Sequence, residues 1–247
     1  MKRLAGLLII TLLTSAGCGV FETVNSLVEG DHYSVQEGRV VWISWSSMGG
    51  PPSRAERAVD ANAETFNILD DARYGEDGEH VFCEGRILDA ADASSFHVLP
   101  RVEGGERDYA VDATNVWTGC ERVQDADAGT FQPLAGSYGK DAEHVFSWKY
   151  VIDGADAGTF VPLDQDPDYG RDRTGIWYAS FLMPVTNPDR FRLIGGNYST
   201  DGDAIYYAQY KVDGADVASF RVPKGMSYGR DNSGCWTGTM PKPCLSE

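Results

Sequence analysis

The chain has 247 residues, 42% apolar and 11% aromatic, with 37 acidic against 21 basic side chains and a formal charge of −16. That composition is globular and excludes a disordered, solvating chain. The acidity is spread along the whole sequence, which excludes nucleic acid as a partner, because a phosphate backbone is held by Lys and Arg.

The first 17 residues read as a secretion signal: a basic Met1-Lys2-Arg3, an apolar run from Leu4 to Thr14, then small residues. That run spans only about half of a ~30 Å hydrocarbon core, too short for a transmembrane helix. The segment LTSAGC ending at Cys18 resembles the lipobox of bacterial lipoproteins, with Ser15 where that motif usually has Leu. The resemblance implies that Cys18 becomes the lipidated first residue and that 18–28 form a short tether. Gly19 in place of Asp implies the outer membrane in a Gram-negative cell. Cleavage by an ordinary signal peptidase, giving a soluble secreted or periplasmic protein, is the alternative.

From residue 29 to 247 the chain is a tandem array. A Tyr is followed 22 residues later by a Phe five times: Tyr74/Phe96, Tyr109/Phe131, Tyr138/Phe160, Tyr169/Phe191 and Tyr198/Phe220. With 10 Phe in the chain, a chosen offset is met about one time in 25, so the series is an internal period. An earlier copy runs from Tyr33 to Phe66, lengthened by an insertion in SSMGGPPSRAER, and a partial seventh begins at Tyr228. This gives six full copies of about 30 residues and part of another.

Within a copy, Asp stands three residues after the Tyr: Asp77, Asp112, Asp141, Asp172, Asp201 and Asp231, with Gln36 in the first copy. An aromatic follows five residues later, which predicts a loop passing into a strand. Phe146, Trp148, Tyr150 and Ile152 alternate with Ser147, Lys149 and Val151, which predicts one continuous strand there. Glu84-Gly85, inside VFCEGRIL, predicts a hairpin turn. Asn62, Asp92, Asp127, Asp156, Asn187 and Asp216, four residues before each Phe, are expected to cap a single helical turn that delivers the Phe to the core. Each copy is therefore read as two to three short strands plus a capped turn. The fold expected is all-β, an open solenoid-like stack or, alternatively, a closed propeller-like ring.

YSTDGDAIYYAQYKVDGADVASF (Tyr198 to Phe220) and YGKDAEHVFSWKYVIDGADAGTF (Tyr138 to Phe160) resemble the DKNYY family of bacterial repeat proteins. The resemblance covers 29–247 and implies a β-rich repeat domain of secreted or surface proteins. It implies no activity.

Setting Cys18 aside leaves Cys83, Cys120, Cys235 and Cys244, an even number in an oxidising compartment. Of three possible connectivities, proximity favours Cys83 with Cys120 and Cys235 with Cys244. Zinc is the lesser alternative, since no CxxC pair is present.

No catalytic motif appears, and His80 and His144 occupy equivalent repeat positions, so no catalytic residue is assigned and the chain is read as non-enzymatic. No cofactor is expected; DGD at 201–203 and DNS at 231–233 leave calcium as a minor possibility. The function expected is a membrane-anchored binding or structural scaffold on the cell envelope with a protein or glycan partner. A glycan-binding or glycan-hydrolysing protein is the alternative.

Overall fold

The structure, a computed structural model, describes residues 30–46, 53–106 and 108–244. The signal, Cys18 and the tether lie outside the described residues, as do residues 47–52 of the first-copy insertion. Residues 31–247 form one compact unit. It contains no α-helix among the described residues and is built of seven small antiparallel sheets, each a meander of strands consecutive in the chain.

Strands are short because every copy changes direction three times in about 20 residues. In the fourth sheet they are Gln132–Pro133, Tyr138–Lys140, Val145–Ser147 and Tyr150–Val151. We call them the lead, tyrosine, aromatic and outer strands. The lead strand follows the Phe of the preceding copy, so each full copy ends beside the next sheet; the five inner sheets have four strands, and the first and seventh have three. In the seventh sheet the lead strand shrinks to a bridge between Arg221 and Arg230.

The expected continuous strand across FSWKYVI is instead a hairpin. Trp148 adopts a left-handed φ of 59° and the chain reverses between Ser147 and Tyr150. The apparent alternation combines two strands: Phe146 and Ile152 are buried, while Trp148 and Tyr150 are exposed. The Glu84-Gly85 hairpin is where the sequence places it, and Ala179 and Ala208 make the same left-handed reversal without glycine.

Side chains opposite one another in an antiparallel pair share a face. Tyr138, Ser147 and Tyr150 therefore lie on one face of the fourth sheet, and Gly139, Phe146 and Val151 on the other. Phe131, from the third copy, packs 4.9 Å from Tyr109 of the third sheet and 5.8 Å from Phe146 of the fourth, between centroids. Phe96 bridges Tyr74 and Trp117 in the same way, and Phe66 bridges Tyr33 and Phe82. The sheets are thus stacked face to face with a phenylalanine between successive layers. No sheet closes into a barrel among the described residues, and sheets packed face to face lie roughly 10 Å apart.

Close approach requires a small residue directly after the Tyr. A Cβ built on Gly170 would lie 2.2 Å from Phe160 Cζ, and on Gly139 2.5 Å from Phe131 Cζ. Ser34, Gly75, Ala110, Gly139, Gly170, Ser199 and Gly229 hold this position, all small.

Delivery of the Phe to the core is not uniform, and Phe191 packs against the core without being enclosed by it. It is only partly buried, on the margin of the cluster that contains Tyr169 and Tyr206, whereas Phe160 is fully buried. Its centroid stands 5.9 Å from Tyr169, against 4.9 Å for Phe160 and Tyr138 and 5.0 Å for Phe220 and Tyr198. Phe66, above Gly75, is likewise only partly buried, so the depth of the ring does not follow from the residue that receives it. Phe220 keeps the close ring contact and the glycine, Gly229, but it too is only partly buried, beside the shortened lead strand of the seventh sheet.

The first-copy insertion lengthens a hairpin: Arg39–Ser46 pairs with Ser53–Val59 out to Ser46 opposite Ser53. The longer spacing between the second and third copies forms a loop that docks on the fourth, with Glu106 N donating to Gly136 O at 2.8 Å and Gly136 N to Gly104 O at 2.8 Å. The disulfides are Cys83–Cys120 and Cys235–Cys244, as proximity predicts. The first ties the second sheet to the third, and the second closes the last hairpin.

Phe160→Ala should destabilise the chain by about 3–5 kcal/mol in urea denaturation. Gly170→Ala should cost about 1–3 kcal/mol by overpacking, and adding Phe160→Leu to it should recover part of that loss. Reducing Cys83–Cys120 releases a loop of 37 residues, for which chain entropy gives about 4 kcal/mol. The expected result is a lower thermal midpoint in dithiothreitol, the part due to Cys83–Cys120 being reproduced without reductant by a Cys83→Ser/Cys120→Ser variant and the rest by Cys235→Ser/Cys244→Ser.

Candidate functional site

The seams between sheets hold the residues most conspicuous in the sequence. Asp77, Asp112, Asp141, Asp172, Asp201 and Asp231 are all buried and all divide their two oxygens in one way. Oδ1 accepts from the backbone amides two and three residues on; for Asp141 these are Glu143 and His144, at 2.8 and 2.6 Å. Oδ2 accepts an amide of the preceding copy. Asn62 donates to Asp77 at 3.0 Å, Asp92 to Asp112 at 2.9 Å, Asp127 to Asp141 at 2.9 Å, Asp156 to Asp172 at 2.7 Å and Asp216 to Asp231 at 2.8 Å.

The residue that donates that amide is the cap before each Phe, and its turn forms as expected. Glu64 N donates to Asn62 Oδ1, Ser94 N to Asp92 Oδ1 and Gly129 N to Asp127 Oδ1, at 2.8–3.1 Å. At the TNPDRF copy, the one that ends in the displaced Phe191, the expectation divides. Pro188 opens a 3₁₀ turn over Pro188–Arg190, but the Asn187 side chain makes no capping bond. Thr186 takes the stitching role, its amide and hydroxyl both donating to Asp201 Oδ2 at 3.0 Å. The Ser or Thr before Phe adds a second stitch. Thr159 Oγ1 donates to Asp156 and accepts from Arg173 N, and Ser219 Oγ does the same between Asp216 and Asn232.

The tyrosines close the seam on its other side. Tyr138 donates from its hydroxyl to Asp168 O at 2.8 Å and Ala179 O at 3.1 Å, both in the next sheet; Tyr198 likewise reaches Trp236 O and Gly238 O. Tyr109 reaches Trp148 O at 3.2 Å. The phenol thus holds the left-handed hairpin residue of the following sheet, a conformation that costs roughly 1–2 kcal/mol for a residue with a Cβ.

These environments shift the ionisable groups. Burial opposes ionisation of the seam aspartates, yet the amides directed at them outweigh it and hold their pKa values below the ordinary carboxylate range, most strongly at Asp201. Burial pushes Tyr33 up to about 12, and Tyr74, Tyr138 and Tyr169 upward as well.

His80 and His144 sit in the Asp turns, their rings against Phe82 and Phe146, so the structure gives both the same packing environment. A cleft of about 500 Å³ includes Asp71, Val98, Arg101 and Asp108 in its lining. Its charges answer one another: Arg101 grips Asp108 through two bonds of 2.7 and 2.5 Å, and Arg73 pairs with Asp71. Among the described residues no group of three or more His, Cys, Asp or Glu side chains is arranged to hold a metal ion. In the turns at 201–203 and 231–233 the Asp201 and Asp231 carboxylates already accept several protein donors.

The family comparison matches residues 109–239, more than half of the chain, to the DKNYY family. The chain belongs to the DKNYY family. A comparison with curated proteins found no match, and neither did one with solved structures. The DKNYY match begins at Tyr109, but the first two copies carry the same seam, with Tyr33, Phe66, Asp77 and Phe82 in equivalent roles.

One row of this DKNYY array was not read from the sequence: the residue 12 after the Tyr of the second to seventh copies, which opens the outer strand. It is Arg86, Glu121, Tyr150, Phe181, Tyr210 and Met240, and the last four are more than half exposed. The signal was available in the spacing, but reading FSWKYVI as one strand hid it.

A seam aspartate has a folded pKa below its unfolded value near 3.9, so its contribution is complete above about pH 4 and is lost as pH falls through the lower folded value. The thermal midpoint should be level from pH 8 to about 5 and drop steeply below about 4. Asp141→Asn should lower the neutral midpoint, since an amide nitrogen would replace an accepting oxygen, and should make the acid limb shallower.

Proposed function

We propose that this DKNYY-family chain is a non-catalytic binding or structural scaffold of the bacterial cell envelope, anchored through lipid on Cys18, in the outer membrane of a Gram-negative cell. The observation that carries this reading is the division of labour within each copy. Tyr, Asp, cap and Phe are consumed in seams that join successive sheets, while the outer strand changes from copy to copy. A periodic, rigid framework with variable outward residues suits repeated weak contacts to a partner, as stacked-repeat proteins use their extended surfaces. The lipobox-like LTSAGC supplies the anchor in this reading, and the acidic surface suits an envelope partner that is protein or glycan but not nucleic acid. No helix among the described residues is long and apolar enough to cross a membrane.

The anchor is tested by clickable fatty-acid labelling: the wild-type chain should take up label and fractionate with membranes, and Cys18→Ser should do neither. Crosslinking on intact cells with mass spectrometry should recover a partner attached through residues of the outer strands. Turnover of an envelope glycan that a single carboxylate or His substitution abolishes would overturn the non-catalytic reading.

A further inference from the structure

We propose that the exposed row Tyr150, Phe181 and Tyr210 is a stacking ladder for an extended, neutral polysaccharide. The inference rests on the scaffold reading above and names the chemistry of its partner. The three rings hold the same register position in three successive sheets: Tyr150 lies opposite Ser147, Phe181 opposite Tyr178 and Tyr210 opposite Tyr207. They are 60%, 54% and 60% exposed, and Met240, 69% exposed, continues the row into the seventh sheet.

Exposed apolar side chains on a soluble protein are ordinarily scattered. Here they recur at one register position in three successive sheets, one per sheet, and packed sheets are spaced roughly 10 Å apart. The row starts abruptly, since the second and third sheets carry Arg86 and Glu121 at this position.

Three observations select the occupant. The outer strands Tyr150–Val151, Phe181–Leu182 and Tyr210–Lys211 are two residues long, too short to template an added peptide strand. Each ring is preceded by a polar side chain, Lys149, Ser180 or Gln209, and Lys149 Nζ stands 5.3 Å from the Tyr150 centroid. A folded protein interface instead favours a contiguous core depleted of charge. Separate ring faces with hydrogen-bonding groups beside them match the apolar faces and hydroxyl rims of sugar rings, and one platform per layer matches a repeating ligand. A formal charge of −16 repels polyanions, which leaves neutral chains.

The test is an array of immobilised bacterial and plant polysaccharides, neutral and anionic, probed with the folded chain and with Tyr150→Ser/Phe181→Ser/Tyr210→Ser. The substituted side chains are exposed, so the variant should keep the wild-type melting curve. A Val161→Ser variant, changing an exposed apolar residue outside the row, is the control. The expected result is binding to neutral members, weakened roughly tenfold or more in the triple variant and unchanged in the control. Binding to no member, binding only to anionic members, or binding that survives in the triple variant would overturn the inference. Should the array stay blank while the triple variant loses a protein crosslinked on cells, the row is a protein interface: the glycan inference falls and the scaffold reading stands.

Discussion

The stack depends on a phenylalanine ring lying between two sheets while belonging to the strands of neither. Most sheets are too small to hold a core of their own; outside the first sheet most strands have only two or three residues, which bury almost nothing by themselves. The ring supplies the missing apolar contact to both sides, against a Tyr of its own copy and an aromatic of the next. Everything else in the copy positions that ring or makes room for it. The capped turn delivers it, the small residue after the next Tyr admits it, and the hydrogen bonds of the seam keep the two sheets at a distance where it fits.

Much of this arrangement was legible because its principal residues are unambiguous types. The 22-residue interval is the separation at which a Tyr and a Phe of one copy meet ring to ring, and where the first copy departs from it, Tyr33 and Phe66 still pack 5.1 Å apart. The Asp after each Tyr marks a turn in either reading. What sequence alone did not show was its second oxygen, because an amide donor 14 to 20 residues away leaves no side-chain signature. The two disulfides followed from proximity within the period.

The misread elements share one physical origin, a tertiary neighbour that the local sequence does not name. At Trp148, Ala179 and Ala208 the chain turns sharply without glycine, and local propensity argues against a turn there. At Trp148 and Ala179 the left-handed backbone is held by a phenol from the preceding sheet, a contact that overrides local preference. Phe191 has the regular interval to Tyr169, yet it packs on the margin of its cluster and not inside it, a depth that the interval does not state. The small residue after Tyr was visible in all seven copies. It carried no obvious chemistry, since its role is to be absent from the space a neighbour's ring fills. The outer strand was hidden by the hairpin misreading, and with it the exposed row, so the functional surface was less legible than the scaffold beneath it.

The two oxygens of each seam aspartate give the array a direction. One oxygen folds its own copy, while the other completes the copy before it, so no copy is finished by its own residues. A chain made from its N-terminus outward always carries, in its newest copy, a backbone donor that only the following segment can satisfy, 14 to 20 residues later. Growth is therefore a ratchet, in which each arriving aspartate locks the copy behind it and leaves the leading edge unlocked. The two faces of each copy are therefore chemically unlike even where the sequences of neighbouring copies agree.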